Sequence, residues 1–294
     1  MRKGVRPLAE RGLTPLARLA VRKTYKLWIG GAFVRSESGR YDHALDRAGA
    51  HVANIPRASR KDVRDAVGAA RKAFGPWAAR TAYNRGQILY RAAEALESRA
   101  EELASRSVGR DEVEAAIDVL LHYAGWTDKI HPVLGGVNPV AAPFLSFSLP
   151  EPTGVVGVVA PDEPELLGLV ADVAPALAAG NTVVAILSER WPLGGLDLGE
   201  VLGVSDVPGG VVNLLSGRRD ELAKALGGHR DLNALLDAAG DADLSAELDR
   251  LGAETIKRVR HGRAPATYDE AVADALQRLE AVTELKTAWH PIGA

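Results

Sequence analysis

Short apolar runs alternate with segments of helical periodicity between residues 155 and 261. The runs predict strands at 155–159, 182–187, 211–215, 232–236 and 255–259, and the segments between them predict helices at 163–179, 196–202 and 219–226. Most of the runs are apolar throughout, which is typical of strands covered on both faces. The alternation requires crossover connections and therefore predicts an α/β fold with a doubly wound parallel sheet.

The flanking regions predict elements of other kinds. Apolar residues recur at three- and four-residue steps over 62–105, which indicates helices that cover the sheet, and a further amphipathic helix is expected over 268–282. The segment 138–152 differs, because Phe144 and Phe147 do not fit one alternating face. Prolines also exclude this segment from the centre of a sheet; they are Pro139, Pro143, Pro150 and Pro152.

Composition excludes several classes of function. A net charge of −2 with 25% charged and 47% hydrophobic residues is typical of a globular chain and predicts no nucleic-acid partner. The longest apolar stretches fall well short of the roughly 20 residues that span a bilayer. The charged start lacks a signal-peptide core, so we expect a cytoplasmic protein without a membrane partner. Seven scattered histidines and no cysteine predict no metal site.

Five segments are similar to the aldehyde dehydrogenase superfamily and follow one another in its order. They are residues 26–34 (KLWIGGAFV), 58–80 with the helix 85–101 that follows, 123–130 (YAGWTDKI), 151–161 (EPTGVVGVVAP) and 174–184 (APALAAGNTVV). The resemblance covers residues 21–294. It is closest to the cysteine-less second copy found in the sixteenth family, whose end resembles residues 284–293 (ELKTAWHPIG).

The resemblance implies a domain organisation. Residues 21–137 and 153–263 would form a degenerate dinucleotide-binding domain of the Rossmann type, preceded by an N-terminal arm at 1–20. Residues 138–152 and 283–294 would be a hairpin and a closing strand used for oligomerisation. Between these parts, residues 264–282 would be a connector and helix in place of the catalytic domain.

The resemblance also implies that catalysis has been lost. Active members use a cysteine thiolate, an asparagine oxyanion donor, a glutamate base and NAD(P), whereas these 294 residues contain no cysteine. Glu163 stands at the asparagine position, where an anion would repel a developing oxyanion, and Val259 stands at the base position. We therefore expect no catalytic residue.

Dinucleotide binding is expected to be vestigial for the same reason. Ile186 replaces the lysine that grips the adenosine ribose, and Asp241 is expected to cap the helix whose start would otherwise receive the pyrophosphate. NAD(P) should bind weakly at best, with no other cofactor. The positions that correspond to cofactor contacts are Ala160, Pro161, Ser188, Glu189 and Gly240.

Alternative interpretations of these residues remain open. Ser188 and Glu189 could cap a helix before Trp191 instead of binding ribose. Gly154, Gly157 and Gly180 are expected to be turn glycines, since they do not form a GxGxxG fingerprint. No GxSxG elbow supports a serine triad.

The sequence therefore favours a catalytically inactive scaffold or partner subunit for a full-length aldehyde dehydrogenase, or for a second copy of itself. Trp289 in the closing strand is the best interface candidate among five tryptophans expected to serve packing. Two alternatives are a dinucleotide-responsive regulator and an oxidoreductase that acts on aldehydes with NAD(P).

Overall fold

The computed structural model of the chain describes residues 19–106 and 108–292, so the predicted arm at 1–20 lies outside the described residues except for its last two. The strands are β1 (Lys23–Thr24), β2 (Leu27–Ile29), β3 (Ala32–Val34), β4 (Tyr41–Leu45), β5 (His51–Pro56), β6 (Gly136–Asn138), β7 (Phe144–Pro152), β8 (Val155–Val159), β9 (Thr182–Ile186), β10 (Val212–Leu215), β11 (Ala234–Asp237), β12 (Arg258–His261) and β13 (Thr283–Pro291). The helices are α1 (Arg60–Ala78), α2 (Ala82–Glu97), α3 (Ala100–Arg106), α4 (Arg110–Trp126), α5 (Ile130–Leu134), α6 (Glu165–Ala178), α7 (Leu193–Val204), α8 (Arg219–Gly227), α9 (Ala242–Ala253), α10 (Tyr268–Ala273) and α11 (Ala275–Ala281).

The main sheet has the strand order β12-β11-β8-β9-β10-β2-β3, and its first five strands are parallel. This arrangement confirms the predicted doubly wound α/β fold. Strand β8 has the predicted bounds, but the prediction of a strand at 255–259 was partly wrong. The Thr255 and Lys257 N–H groups both donate back to the Gly252 carbonyl, so these residues end α9 and the strand begins only at Arg258.

The core lies on both faces of the main sheet. Helices α1 and α8 pack on one face, while α2, α4 and α6 form the other side of the domain. Every residue of β8 and of α6 is buried, which agrees with the continuous apolar runs in the sequence. The Glu112 carboxylate accepts the Leu166 and Leu167 N–H groups at 2.7 and 3.1 Å, and so caps the buried start of α6.

A separate sheet has the order β13-β7-β6, which places β7 at its centre. The prediction that prolines exclude 138–152 from a central strand was therefore wrong. Strand β6 pairs only with residues 146–148 of β7, so Pro150 and Pro152 lie beyond its end. In the ladder between β7 and β13, Thr153 and Val282 form a hydrogen-bonded pair, and such pairs recur at every second residue. Pro150 and Pro152 lie at the positions between these pairs, so their nitrogens face away from β13.

The predicted helix at 268–282 is broken into α10 and α11. At Asp274 the backbone leaves helical geometry (φ −110°, ψ 28°), and its carboxylate accepts hydrogen bonds from Arg260 and Arg278, both at 2.6 Å. Arg278 points inward and donates to the buried Asp172 of α6, also at 2.6 Å. We call α10 and α11 the connector helices, since they join the main domain to β13.

None of the helices within the described ranges combines the length and the apolar character needed to cross a membrane.

Candidate functional site

The carboxyl ends of β8, β9 and β11 meet at one edge of the main sheet, where ligands of open α/β sheets bind. Ala160 and Pro161 follow β8, Ser188 and Glu189 follow β9, and Gly240 follows β11. A cavity of about 530 Å³ opens at this edge, and among these five residues it is lined by Glu189 alone. Its other walls come from the starts of α8 and α9, including Arg219, Lys224, Asp241 and Glu247.

Asp162 accepts many of the side-chain hydrogen bonds at this edge. Its Oδ1 accepts the Ser188 hydroxyl at 2.9 Å, and the N–H groups of Glu189 and Arg190 at 3.1 and 3.2 Å. Arg219 adds two guanidinium bonds, at 2.6 Å to Oδ1 and 3.2 Å to Oδ2. Partial burial pushes the pKa of Asp162 upward, but the Arg219 guanidinium, the Arg190 N–H and the Ser188 hydroxyl together hold the pKa below its ordinary value. The carboxylate is therefore ionised at neutral pH.

The sequence interpretation missed Arg219. It is the first residue of α8, where a cation is disfavoured by the positive end of the helix dipole. Two adjacent arginines at a helix start were therefore a signal that carboxylates lie nearby. Arg219 also donates to the Ala160 carbonyl at 3.1 Å, which ties α8 to the end of β8.

Glu189 caps α8. Its Oε2 accepts the Arg219 N–H at 2.7 Å, and its Oε1 lies 3.2 Å from Arg218 Nε. The alternative that Ser188 and Glu189 cap a helix before Trp191 was therefore wrong for α7, which begins at Leu193 without a side-chain cap. The Ser188 hydroxyl instead accepts the Trp191 N–H at 2.8 Å within a local turn.

Asp241 caps α9, as predicted. Its Oδ1 accepts the N–H groups of Asp243 and Leu244 at 3.0 and 3.1 Å. Gly240 precedes it with a φ of +72°, a left-handed conformation that glycine adopts without strain.

Several of the donors that could receive a pyrophosphate at this edge are thus already bonded to carboxylates of the chain. Asp162 accepts hydrogen bonds from the N–H groups that follow β9. Glu189 accepts one from the first residue of α8, and Asp241 accepts one from the first turn of α9. Ile186 is fully buried within the sheet and offers no polar atom. In this conformation a pyrophosphate would compete with these carboxylates for the same donors.

The positions that correspond to catalytic residues lie elsewhere. Glu163 is about half exposed, and its Oε1 accepts a hydrogen bond from Arg47 Nη1 at 2.8 Å. Val259 lies on the edge strand β12. Among residues 19–106 and 108–292, no three histidine or acidic side chains are grouped so that they could hold a metal ion.

Two of the three candidate turn glycines behave as predicted. Gly154 and Gly180 have φ values of +137° and +96°. Gly157 instead lies inside β8, where an added Cβ would approach Leu235 Cδ1 to 2.8 Å. That prediction was wrong, because Gly157 makes room for packed leucines rather than for a turn.

A histidine is clamped between two carboxylates at the end of β12. His261 Nδ1 lies 3.0 Å from Asp237 Oδ2, and Nε2 lies 2.8 Å from Asp249 Oδ1 on α9. The Ser245 hydroxyl also donates to Asp237, at 2.6 Å. Partial burial lowers the pKa of His261, but the hydrogen bonds to Asp249 and Asp237 prevail and raise it above 6.5.

We expect His261 to make unfolding pH-dependent. Because its pKa is raised in the folded chain, its contribution is present below pH 6.5 and is lost as pH rises through the folded value. In urea titrations from about pH 4.5 to pH 9, His261→Gln should remove a loss of stability that the unsubstituted chain shows as pH rises above 6.5. His229→Gln is the control of opposite sign, since burial lowers the pKa of His229. Equal pH profiles for the unsubstituted chain and His261→Gln would contradict this expectation.

Residues 33–261 match the model of the aldehyde dehydrogenase family. The chain is 36% identical over 223 residues to aldehyde dehydrogenase family 2 member B4, mitochondrial, of Arabidopsis thaliana, covering 71% of this chain and 41% of that protein. It is 32% identical over 288 residues to retinal dehydrogenase 2 of Gallus gallus, covering 90% and 55%.

Solved structures agree with the sequence matches. The NAD+ complex of an aldehyde dehydrogenase from Bacillus cereus superimposes with a TM-score of 0.76 at 29% identity, covering 88% of this chain and 53% of that one. The chain thus spans about half the length of the relatives it matches. Since the family model covers well over half of its residues, the chain belongs to the aldehyde dehydrogenase family.

Proposed function

We propose that the chain is a catalytically inactive, cytoplasmic partner subunit that assembles with a full-length aldehyde dehydrogenase. Within the superfamily we place it nearest to the cysteine-less second copy of the sixteenth family, with residues 264–282 standing where active members insert a catalytic domain. The observation that carries the proposal is the edge of β13, which no other strand of residues 19–106 and 108–292 covers, in a sequence without cysteine.

The residues at the catalytic positions support inactivity. Covalent aldehyde oxidation needs a thiolate, an oxyanion donor and a base. The 294 residues supply no thiol, and Glu163 brings a carboxylate bound to Arg47 where a neutral donor is required. Val259 has no group that can accept a proton.

The cleft supports weak binding of NAD(P) at best. A pyrophosphate would have to displace Asp162, Glu189 or Asp241 from donors that each already holds. Like charges at short range disfavour such an exchange. We therefore assign the chain no cofactor.

The edge of β13 supports assembly. Thr153 N–H donates to the Val282 carbonyl and Ile292 N–H donates to the Pro143 carbonyl, so every second residue of this ladder faces β7. The alternate residues of β13 turn their backbone nitrogens away from β7. Leu285, Thr287 and Trp289 are among them, and we call these three residues the outer edge.

Apolar side chains accompany these backbone groups. Leu285 and Trp289 are 62% and 59% exposed, and Phe144 makes an edge-to-face contact with Trp289 at 6.0 Å between ring centroids. An exposed edge strand with large apolar residues is a site of strand addition or of aggregation. A full-length relative shares most of this fold, so we expect it to offer a matching edge.

The test is to purify the tagged chain from its native source and, separately, as an isolated recombinant protein. The isolated chain should show no NAD(P)-dependent oxidation of aldehydes, because loss of even one member of a catalytic set costs several orders of magnitude. The native preparation should contain a cysteine-bearing aldehyde dehydrogenase, identified by mass spectrometry, and its activity should follow that subunit through gel filtration.

The isolated preparation must first be shown to be free of other dehydrogenases, and an active relative assayed in parallel is the positive control. Saturable turnover by the isolated chain would refute inactivity. Recovery of the native chain as a monomer at high concentration would refute the partner role.

A further inference from the structure

The donors around Asp162 come from segments other than its own loop. Ser188, Glu189 and Arg190 follow β9, and Arg219 begins α8, whereas Asp162 follows β8. Two successive backbone N–H groups, a hydroxyl and a guanidinium are the donor set with which proteins hold a tetrahedral oxyanion. Here that donor set holds a carboxylate of the chain itself.

The donors keep their positions through contacts that do not involve Asp162. The Ser188 hydroxyl accepts the Trp191 N–H at 2.8 Å, which fixes the turn. Arg219 donates from its side chain to the Ala160 carbonyl at 3.1 Å and from its backbone to Glu189 at 2.7 Å. Removal of the Asp162 carboxylate would therefore leave a preorganised set of donors.

The site is open to small solutes. The Asp162 side chain is 37% exposed, and Arg219 also borders the cavity of about 530 Å³. Arg218 and Lys224 line the same cavity, but five carboxylates line it as well, so the donors around Asp162 and not the net charge of the cavity would hold an anion. Glu189 and Asp241 still accept N–H groups at the starts of α8 and α9, so those donors are not added to the set around Asp162.

We propose that Asp162 acts as a built-in anion that occupies a latent oxyanion site formed by residues 188–190 and Arg219. In the unsubstituted chain this contact excludes phosphate and sulfate from the cleft. The inference rests on the geometry of the cleft and not on the partner-subunit role, so either can fail while the other stands.

The experiment measures inorganic phosphate binding by calorimetry, at constant ionic strength in chloride buffer. Asp162→Gly should bind phosphate at least about tenfold more tightly than the unsubstituted chain, a difference of about 1.4 kcal/mol. Asp220→Gly is the matched control, because it removes another carboxylate beside Arg218 and changes the net charge equally. Arg219→Met added to Asp162→Gly should abolish the gain.

Equal phosphate affinity in Asp162→Gly and Asp220→Gly would overturn the proposal, since general charge would then explain the effect. Persistence of the gain in the double variant would overturn it as well. If Asp162→Gly does not fold, Asp162→Ala also removes both carboxylate oxygens from the donors and adds less backbone freedom. Phosphate should then raise the melting temperature of Asp162→Ala more than that of the unsubstituted chain, and equal shifts would refute the proposal.

Discussion

Arg278→Met is expected to lower the free energy of unfolding by about 3–5 kcal/mol, the range seen when one partner of a buried ion pair is removed. Arg278 is 5% exposed and donates to Asp172, which is 4% exposed, so the substitution leaves a carboxylate inside the protein without its main partner. Burial already raises the pKa of Asp172, and Arg278 opposes that rise. Urea unfolding followed by circular dichroism measures the loss.

Two further measurements separate loss of the ion pair from loss of packing. The deficit of Arg278→Met should shrink as pH falls, because a protonated Asp172 is cheaper to bury. Asp172→Leu combined with Arg278→Met should restore most of the stability. Arg250→Met, which breaks surface pairs with Glu247 and Glu254, should change little. A deficit in the double variant as large as that in Arg278→Met would mean that the ion pair is not the cause.

Thr287→Pro is expected to weaken association through β13 by about 5- to 150-fold, which corresponds to loss of one hydrogen bond of about 1–3 kcal/mol. Thr287 belongs to the outer edge, so proline removes an outward N–H without breaking the ladder to β7. Analytical ultracentrifugation with the partner aldehyde dehydrogenase, or with the chain alone, measures the change.

Thr287→Val is the matched control. Both variants lose the hydroxyl that lies 2.7 Å from the Ser148 hydroxyl, but only proline loses the N–H. Valine should therefore associate like the unsubstituted chain. If the two variants associate equally, strand addition at the outer edge is the wrong mode of assembly.

The main sheet could be predicted because its signals are local. The run at 155–159 is apolar throughout and bounded by Gly154 and Pro161, so its strand follows from burial alone. The prediction that prolines exclude 138–152 from a central strand was wrong for a physical reason as well. Whether Pro150 interrupts a sheet depends on where the neighbouring strand ends and which way the nitrogen turns, and neither is visible in one segment.

The candidate site was only partly predictable. Asp241 capping α9 is a short-range interaction and was predicted. The bond from Arg219 to Asp162 joins residues 57 positions apart, and the sequence does not state how far α8 lies from the end of β8. The break at Asp274 was also missed, because it depends on Arg260 and Arg278 meeting one carboxylate. The geometry of the site depends on charged residues far apart in the sequence, whereas the strands of the sheet follow from local patterns.

The pairing of β7 with β13 has a consequence for synthesis. Strand β7 ends at Pro152 and β13 begins at Thr283, so 130 residues (153–282) lie between the two strands in the chain. At about 5–20 residues per second, the ribosome needs roughly 7–26 s to deliver the missing strand. Throughout that interval the nascent chain carries β7 without the partner that covers one of its two sides. We expect this interval, rather than the finished fold, to set the demand for chaperones.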